Sequence, residues 1–131
     1  MKSRDNLLRL KHFQVQEKTR QLAQIDMMIA EFQKMSGDLK AQIEVEEKKA
    51  GITDTSHFAY PTFAKAARQR VDNLAVSIRD LEVKREPAVD ALREAEEELR
   101  KAELKEARDG HGSDITDAVV DDAVERRMMI G

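Results

Sequence analysis

The chain has 131 residues, and 23 Lys and Arg against 26 Asp and Glu give a formal charge of −3. This balance gives no indication of nucleic-acid binding. Charged residues make up 37% and Gly (5) and Pro (2) are scarce, which is typical of long helices. The absence of Cys excludes disulfides, thiolate nucleophiles and Cys-based metal sites. The first twenty residues contain no long apolar run, so we expect a cytosolic protein without a signal peptide or direct membrane insertion.

Apolar residues at seven-residue spacing predict a first helix over residues 4–49. They form two columns, as in the seam of a coiled coil. Gly51 follows two lysines of the last turn and lies where a left-handed helix cap is expected. The first column consists of Leu8, Val15, Leu22, Ile29, Ser36 and Ile43, and the second of Ile25, Phe32 and Leu39.

A second pair of columns predicts a helix over residues 61–109. Pro61 suits the first turn of a helix, and Gly110 is interpreted as its stop. Only Arg85 interrupts the apolar pattern. The columns are Ala64, Val71, Ile78, Arg85, Leu92 and Leu99, and Ala67, Leu74, Leu81, Ala88, Ala95 and Ala102.

Two helices of similar length with a short connection predict an antiparallel hairpin, each helix being about 70 Å long at 1.5 Å per residue. The charges agree, because residues 1–20 carry six basic and two acidic side chains, whereas residues 94–109 carry seven acidic and four basic ones. Folding at the turn places the basic start beside the acidic end. The sequence thus predicts an all-α, two-helix coiled-coil hairpin over residues 1–110, with residues 111–131 as a tail that is either a short helix or disordered.

Pairing positions whose numbers sum to about 112 brings Arg85 and Pro87 opposite Asp26, Met27 and Met28. We expect an Arg85–Asp26 contact there. Pro87 removes a backbone hydrogen bond, which predicts a kink, and flexible Met side chains can fill the irregular space beside it.

No constellation of catalytic or metal-binding residues is visible. The three histidines, His12, His57 and His111, lie far apart in the sequence, and none has a second ligand at metal-binding spacing. "GHGSD" lacks the preceding strand and the Lys of a phosphate-binding loop. We therefore expect no enzymatic activity, no cofactor and no metal. The function would then be interaction with other proteins.

The predicted turn holds three of the five aromatic rings in the chain, Phe58, Tyr60 and Phe63. One interpretation is that rings plug the end of the core against Ile43, Val45 or Ile52, and the other is that they contact a partner. From the seam, we expect Phe58 in the core and Tyr60 and Phe63 exposed.

Two sequence stretches give the chain a family resemblance over about residues 1–108. The start "KSRDNLLRLKHFQVQEK" and the turn "GITDTSHFAYPTFAKAARQRVDNL" resemble the FliJ family of flagellar export proteins as found in alphaproteobacteria. The resemblance implies a non-catalytic stalk of the flagellar type III export apparatus. Its partners would be the export ATPase hexamer, the cytosolic domain of the membrane export gate, and export chaperones.

The resemblance also assigns roles to the two ends of the hairpin. The end that holds the termini would enter the ATPase ring, and the tip would reach the export gate. It implies a gate contact for Phe63, next to Phe58 and Tyr60, whereas the end of the first helix has no Tyr to match the family's other contact positions. A scaffold or general chaperone that acts without an ATPase stays an alternative.

Overall fold

In the computed structural model, helix α1 spans Lys2–Ala50 and helix α2 spans Thr62–Asp121. The structure describes the backbone of residues 2–121, together with the side chains of residue 3 and residues 5–110. Every regular element in this part of the chain is an α-helix, and the loop 51–61 joins the two helices into a hairpin. The predicted fold class is confirmed. Within the described residues, neither helix contains a stretch long and apolar enough to cross a membrane.

The helix boundaries at the loop agree with the sequence signals. Gly51 has a φ of 71°, and its N–H donates to the Glu47 carbonyl oxygen at 2.8 Å. This left-handed conformation ends α1, because an L side chain there would be strained. α2 begins directly after Pro61, whose carbonyl oxygen accepts the Lys65 N–H at 3.0 Å.

The predicted stop at Gly110 is wrong, because α2 continues through this glycine to Asp121. A glycine ends a helix where the chain must turn left-handed, but inside a right-handed helix it only lowers helix propensity by about 1 kcal/mol. A Cβ built at Gly110 would meet no atom within 4 Å. Residues 111–121 therefore belong to α2, and the rest of the predicted tail lies outside the described residues.

The two predicted seams are the least exposed faces of both helices. Every predicted seam position from Leu8 to Leu99, and on to Ala102, is buried or half-buried, with Arg85 as the exception. The most buried side chains among the described residues belong to these columns or extend them: Ile43, Tyr60, Ala64, Ala67 and Leu81. The seven-residue spacing therefore predicted the packing face of each helix correctly.

The residues group into two compact units. One, the terminal unit, comprises Met1–Arg20 and Val89–Gly131, and the other, the tip unit, comprises Gln21–Ala88. In the terminal unit, Lys11 Nζ lies 3.7 Å from Glu98 Oε1, and His12 Nε2 lies 3.7 Å from Glu103 Oε2. These contacts join the basic start of α1 to the acidic part of α2, as the charge pattern predicts.

In the tip unit, Arg85 contacts Asp26 as predicted. Its Nε donates to Asp26 Oδ1 at 2.5 Å, and its Nη2 donates to Oδ2 at 3.3 Å. The helix assignment continues through Pro87. Met27 and Met28 are 63% and 43% exposed, so these side chains do not fill the core beside Pro87 and that expectation is wrong. At this level of the hairpin, the side chains of Arg85 and Asp26, which are 44% and 45% exposed, pair with each other.

Candidate functional site

The loop 51–61 is anchored by Tyr60, which is the buried ring of the tip. Tyr60 is only 7% exposed and belongs to the cluster of Ile43, Ala64 and Ala67. Leu39, Ile52 and Val71 pack against this cluster. The expectation that Tyr60 is exposed is therefore wrong. Tyr60 lies seven residues before Ala67, so it continues an apolar column of α2 and closes the end of the seam.

The buried hydroxyl of Tyr60 bridges the two helices. It donates to Glu47 Oε2 on α1 at 2.6 Å and accepts from Arg68 Nε on α2 at 2.8 Å. Arg68 Nη2 donates to the same Glu47 oxygen at 2.7 Å. These three hydrogen bonds form a closed triangle, which we call the tip clasp, consisting of Glu47, Tyr60 and Arg68. A buried hydroxyl needs such partners, because leaving it unpaired costs free energy.

The tip clasp also changes the acidity of its charged members. The hydrogen bond from Arg68, and secondly that from Tyr60, holds the pKa of Glu47 below its ordinary value of 4.5. The hydrogen bond to Glu47, and secondly that to the Tyr60 hydroxyl, raises the pKa of Arg68. The Glu47 side chain is 12% exposed and that of Arg68 46%, so the clasp is sheltered on the α1 side and open to solvent on the α2 side. Both groups stay charged over the whole neutral range.

The loop itself consists of two consecutive tight turns. Asp54 Oδ1 accepts the Ser56 N–H at 2.9 Å and the Ser56 hydroxyl at 2.7 Å, which lowers the pKa of Asp54. The His57 N–H donates to the Asp54 carbonyl oxygen at 3.1 Å, and the Tyr60 N–H donates to the His57 carbonyl oxygen at 3.0 Å. Asp, Ser and Gly favour such turns because they hydrogen-bond locally or tolerate unusual backbone angles.

Phe58 is the most exposed large apolar side chain of the described residues, at 97%. The expectation that it lies in the core is wrong, since Tyr60 occupies that position. Its ring stacks on the His57 ring, with centroids 4.8 Å apart and an angle of 21° between the planes. His57 Nδ1 in turn accepts the Ala59 N–H at 2.9 Å. The backbone on both sides of Phe58 is thus held while the ring faces solvent.

Phe63 is 51% exposed on the first turn of α2, as the sequence predicts. It lines a shallow, mainly apolar groove of about 320 Å³ with Ala41, Gln42, Val45 and Glu46 of α1. Val45 is also 51% exposed, so it does not belong to the tip core. A half-exposed ring beside an open groove is a frequent arrangement at protein interfaces.

A second groove of the tip unit, of about 630 Å³, has a different character. Charged side chains line most of it, among them Lys40, Lys65, Arg68 and Asp72. Cations and carboxylates both line this groove. Among the described residues, no group of three His, Asp or Glu side chains could hold a metal ion.

The three rings predicted as one site therefore separate into two roles. Phe58 and Phe63 are exposed, whereas Tyr60 is buried and hydrogen-bonded to both helices. Sequence reasoning missed Glu47, Arg68 and His57, all of which shape the tip. Paired positions of the two helices have numbers that sum to about 112, which places Glu47 within one helical turn of Arg68. The contact between these two residues could therefore have been predicted from the sequence. The His57 contacts depend on turn geometry that spacing alone does not give.

Comparisons of the chain with protein families, with curated proteins and with solved structures find no significant match.

Proposed function

We propose that this protein is a non-catalytic coiled-coil stalk of the flagellar type III protein export apparatus. In this proposal it links the export ATPase ring to the cytosolic domain of the membrane export gate, on the cytoplasmic side of the membrane, and it assists the traffic of export chaperones. The proposal starts from the resemblance of residues 1–108 to the FliJ family. The fold is compatible with it, since two long helices form a hairpin with a defined tip.

The observation that carries the proposal is the presentation of two aromatic rings at the tip. Phe58 is 97% and Phe63 51% exposed, although aromatic residues make up only 4% of the chain. Aromatic side chains give large apolar contact areas at interfaces and often dominate the binding energy. We therefore assign Phe58 and Phe63 as the gate-contacting residues and remove Tyr60 from the contact set.

The terminal unit would take the ATPase end of the stalk. Its exposed apolar side chains include Leu7, Leu10 and Phe13 on α1, and they lie in the basic first twenty residues. This combination suits a partner surface that has both apolar and acidic character. The proposal thus assigns different partners to the two units.

The experiment that tests the proposal is binding of the purified full chain to the export ATPase and to the cytosolic domain of the export gate. We expect both to bind. Replacing Phe58 and Phe63 together by Ala should weaken gate binding by about tenfold or more, because two interface rings are lost, and leave ATPase binding unchanged. Val83→Ala is the matched control, since Val83 is apolar and 73% exposed in the same unit.

Each outcome decides between the candidate functions. Failure of the wild-type chain to bind either protein would reject the stalk. Gate binding that survives the double substitution would reject the assignment of the two rings. Binding of unrelated unfolded clients in place of both partners would favour the general chaperone.

A further inference from the structure

We propose that the tip clasp of Glu47, Tyr60 and Arg68 is a positioning device that holds the loop in a binding-ready conformation and keeps Phe58 projected into solvent. This inference rests on the proposed function for the identity of the partner. The structural part, that the clasp sets the loop conformation, can be tested without any partner.

Phe58 is held by its neighbours in the chain. An apolar ring that is 97% exposed gains little from its own burial, and its ring stacks only on His57 among the described residues. Its place therefore depends on its neighbours. His57 is fixed on one side by the bond to the Asp54 carbonyl, and Tyr60 on the other by the bond to the His57 carbonyl. Phe58 lies between two held residues.

Tyr60 connects this loop to both helices. Its ring is buried among Ile43, Ala64 and Ala67, which fixes its depth in the core. Its hydroxyl bonds Glu47 and Arg68, which fixes the direction of the ring. A Phe at this position would fill the same apolar space but would lose the directional hydrogen bonds. Tyr is therefore needed for the orientation of the loop and not only for its burial.

A loop that is ordered in the free protein lowers the cost of binding. A loop that is disordered before binding must be ordered at the interface, and this ordering weakens the affinity. A loop held by hydrogen bonds in the free protein avoids most of that cost. The clasp residues need not touch the partner, so they act through Phe58 as positioning residues.

The test uses three variants of the full chain. Tyr60→Phe removes the hydroxyl and keeps the ring. Glu47→Arg places a second cation against Arg68. The double variant Glu47→Arg with Arg68→Glu exchanges the two charges and restores an ion pair in the reverse order. The matched control is Asp26→Arg, which disrupts the other Arg–carboxylate contact between the helices of the tip unit.

The first measurement is hydrogen exchange at the amides of Ala59 and Tyr60, both of which donate within the loop. We expect Tyr60→Phe and Glu47→Arg to accelerate exchange at both amides by about tenfold, because exchange follows local opening. The charge exchange should restore most of the protection, and Asp26→Arg should leave it unchanged. Equal protection in wild type, Tyr60→Phe and Glu47→Arg would overturn the proposal.

The second measurement is the affinity for the cytosolic domain of the export gate. We expect the variants that loosen the loop to bind about tenfold more weakly, while circular dichroism shows unchanged helix content. Weaker binding that the charge exchange does not restore would also overturn the proposal. If the wild-type chain does not bind the gate domain, the proposed function fails, and the exchange measurement still decides the role of the clasp.

Discussion

At the scale of single residues, the tip shows why position in the heptad matters more than apolar character. Phe58 is the more apolar ring, but Tyr60 is the one in register with Ala67, and Tyr60 is buried. Tyr60 lies seven residues before Ala67, so the heptad spacing could have identified it as the core ring, although the expectation from the seam was Phe58. What the sequence does not give is the hydroxyl's pair of partners, because they depend on side-chain directions across two helices.

Ala64 is the residue on which the close approach of the helices at the tip depends. It is 0% exposed, so no space is left for a larger side chain. Ala64→Leu should lower the free energy of unfolding by about 1 to 3 kcal/mol, because overpacking forces side chains and backbone to shift. Urea unfolding measures the change. Ala66→Leu is the control, since Ala66 is exposed on the same helix and should be nearly neutral, and an equal loss in both variants would contradict the packing shown.

Glu47 gives the fold a defined acid sensitivity. Its pKa lies below the ordinary 4.5 because of the bonds from Arg68 and Tyr60. A carboxyl whose pKa is lowered by folding contributes its full stabilisation above its unfolded pKa, and this is lost as the pH falls through the folded pKa. The same rule applies to Asp26, whose pKa is lowered mainly by the hydrogen bond from Arg85, and to Glu97, whose pKa is lowered mainly by the hydrogen bond from Arg100.

We therefore expect acidification below about pH 4.5 to destabilise the wild type more than Glu47→Gln, which has no charge to lose. Urea midpoints of both proteins, measured at neutral pH and at acidic pH, give the comparison. The difference in urea midpoint between the wild type and Glu47→Gln should become smaller at acidic pH. A difference that is independent of pH would show that the carboxylate charge contributes nothing to the fold.

At the scale of the elements, the glycines separate the reliable helix signals from the unreliable ones. Gly51 has a φ of 71° and ends α1, as the sequence predicts. Gly110 looked equivalent in the sequence but lies inside α2. After Gly51 the chain reverses, and residues from both helices pack into the apolar cluster of the tip, whereas α2 continues without a turn at Gly110. A glycine predicts a boundary only together with such a tertiary requirement.

The glycines also give a pair of opposite predictions. Gly37 lies inside α1, and a Cβ there would meet no atom within 4 Å, so Gly37→Ala should stabilise the fold by about 1 kcal/mol. Gly51→Ala should destabilise it by about 1 to 2 kcal/mol, because Ala is strained in the left-handed conformation. Thermal unfolding of both variants measures this. The same sign of change in both would contradict the backbone geometry at one of the two sites.

The loop is the element that sequence reasoning described least well. Its location between Gly51 and Pro61 was predicted, and so was its aromatic content. The hydrogen bonds from Ser56 to Asp54 and from Ala59 to His57 could not be predicted. A given set of polar residues allows several turn conformations of similar energy. The structure has the conformation in which the His57 N–H donates to the Asp54 carbonyl oxygen and the Tyr60 N–H donates to the His57 carbonyl oxygen.

At the scale of the whole molecule, the sequence predicted the fold class and the pairing of the helices. Apolar columns defined the packed faces, and the numbers of contacting residues, such as Asp26 with Arg85, sum to about 112 as expected. In the terminal unit, the contacts of Lys11 and His12 with acidic residues of α2 follow the predicted charge arrangement. Long, regular repeats are predictable in this way because every turn repeats the same packing requirement.

The sequence determines the fold closely, but the fold leaves several functions open. A two-helix hairpin suits stalks, scaffolds and chaperones alike. The distinction has to come from which surface meets which partner. In the present proposal, the decisive surface is the loop with Phe58 and the adjoining groove with Phe63.

The central claim, that the tip contacts the export gate through Phe58, can be tested by photo-crosslinking in flagellated cells. A benzophenone side chain would replace Phe58 in one strain and Val83 in another, since both positions are highly exposed, at 97% and 73%. We predict a crosslink to the cytosolic domain of the export gate from position 58 and none from position 83. Absence of that crosslink at position 58, or equal crosslinking from both positions, would contradict the account.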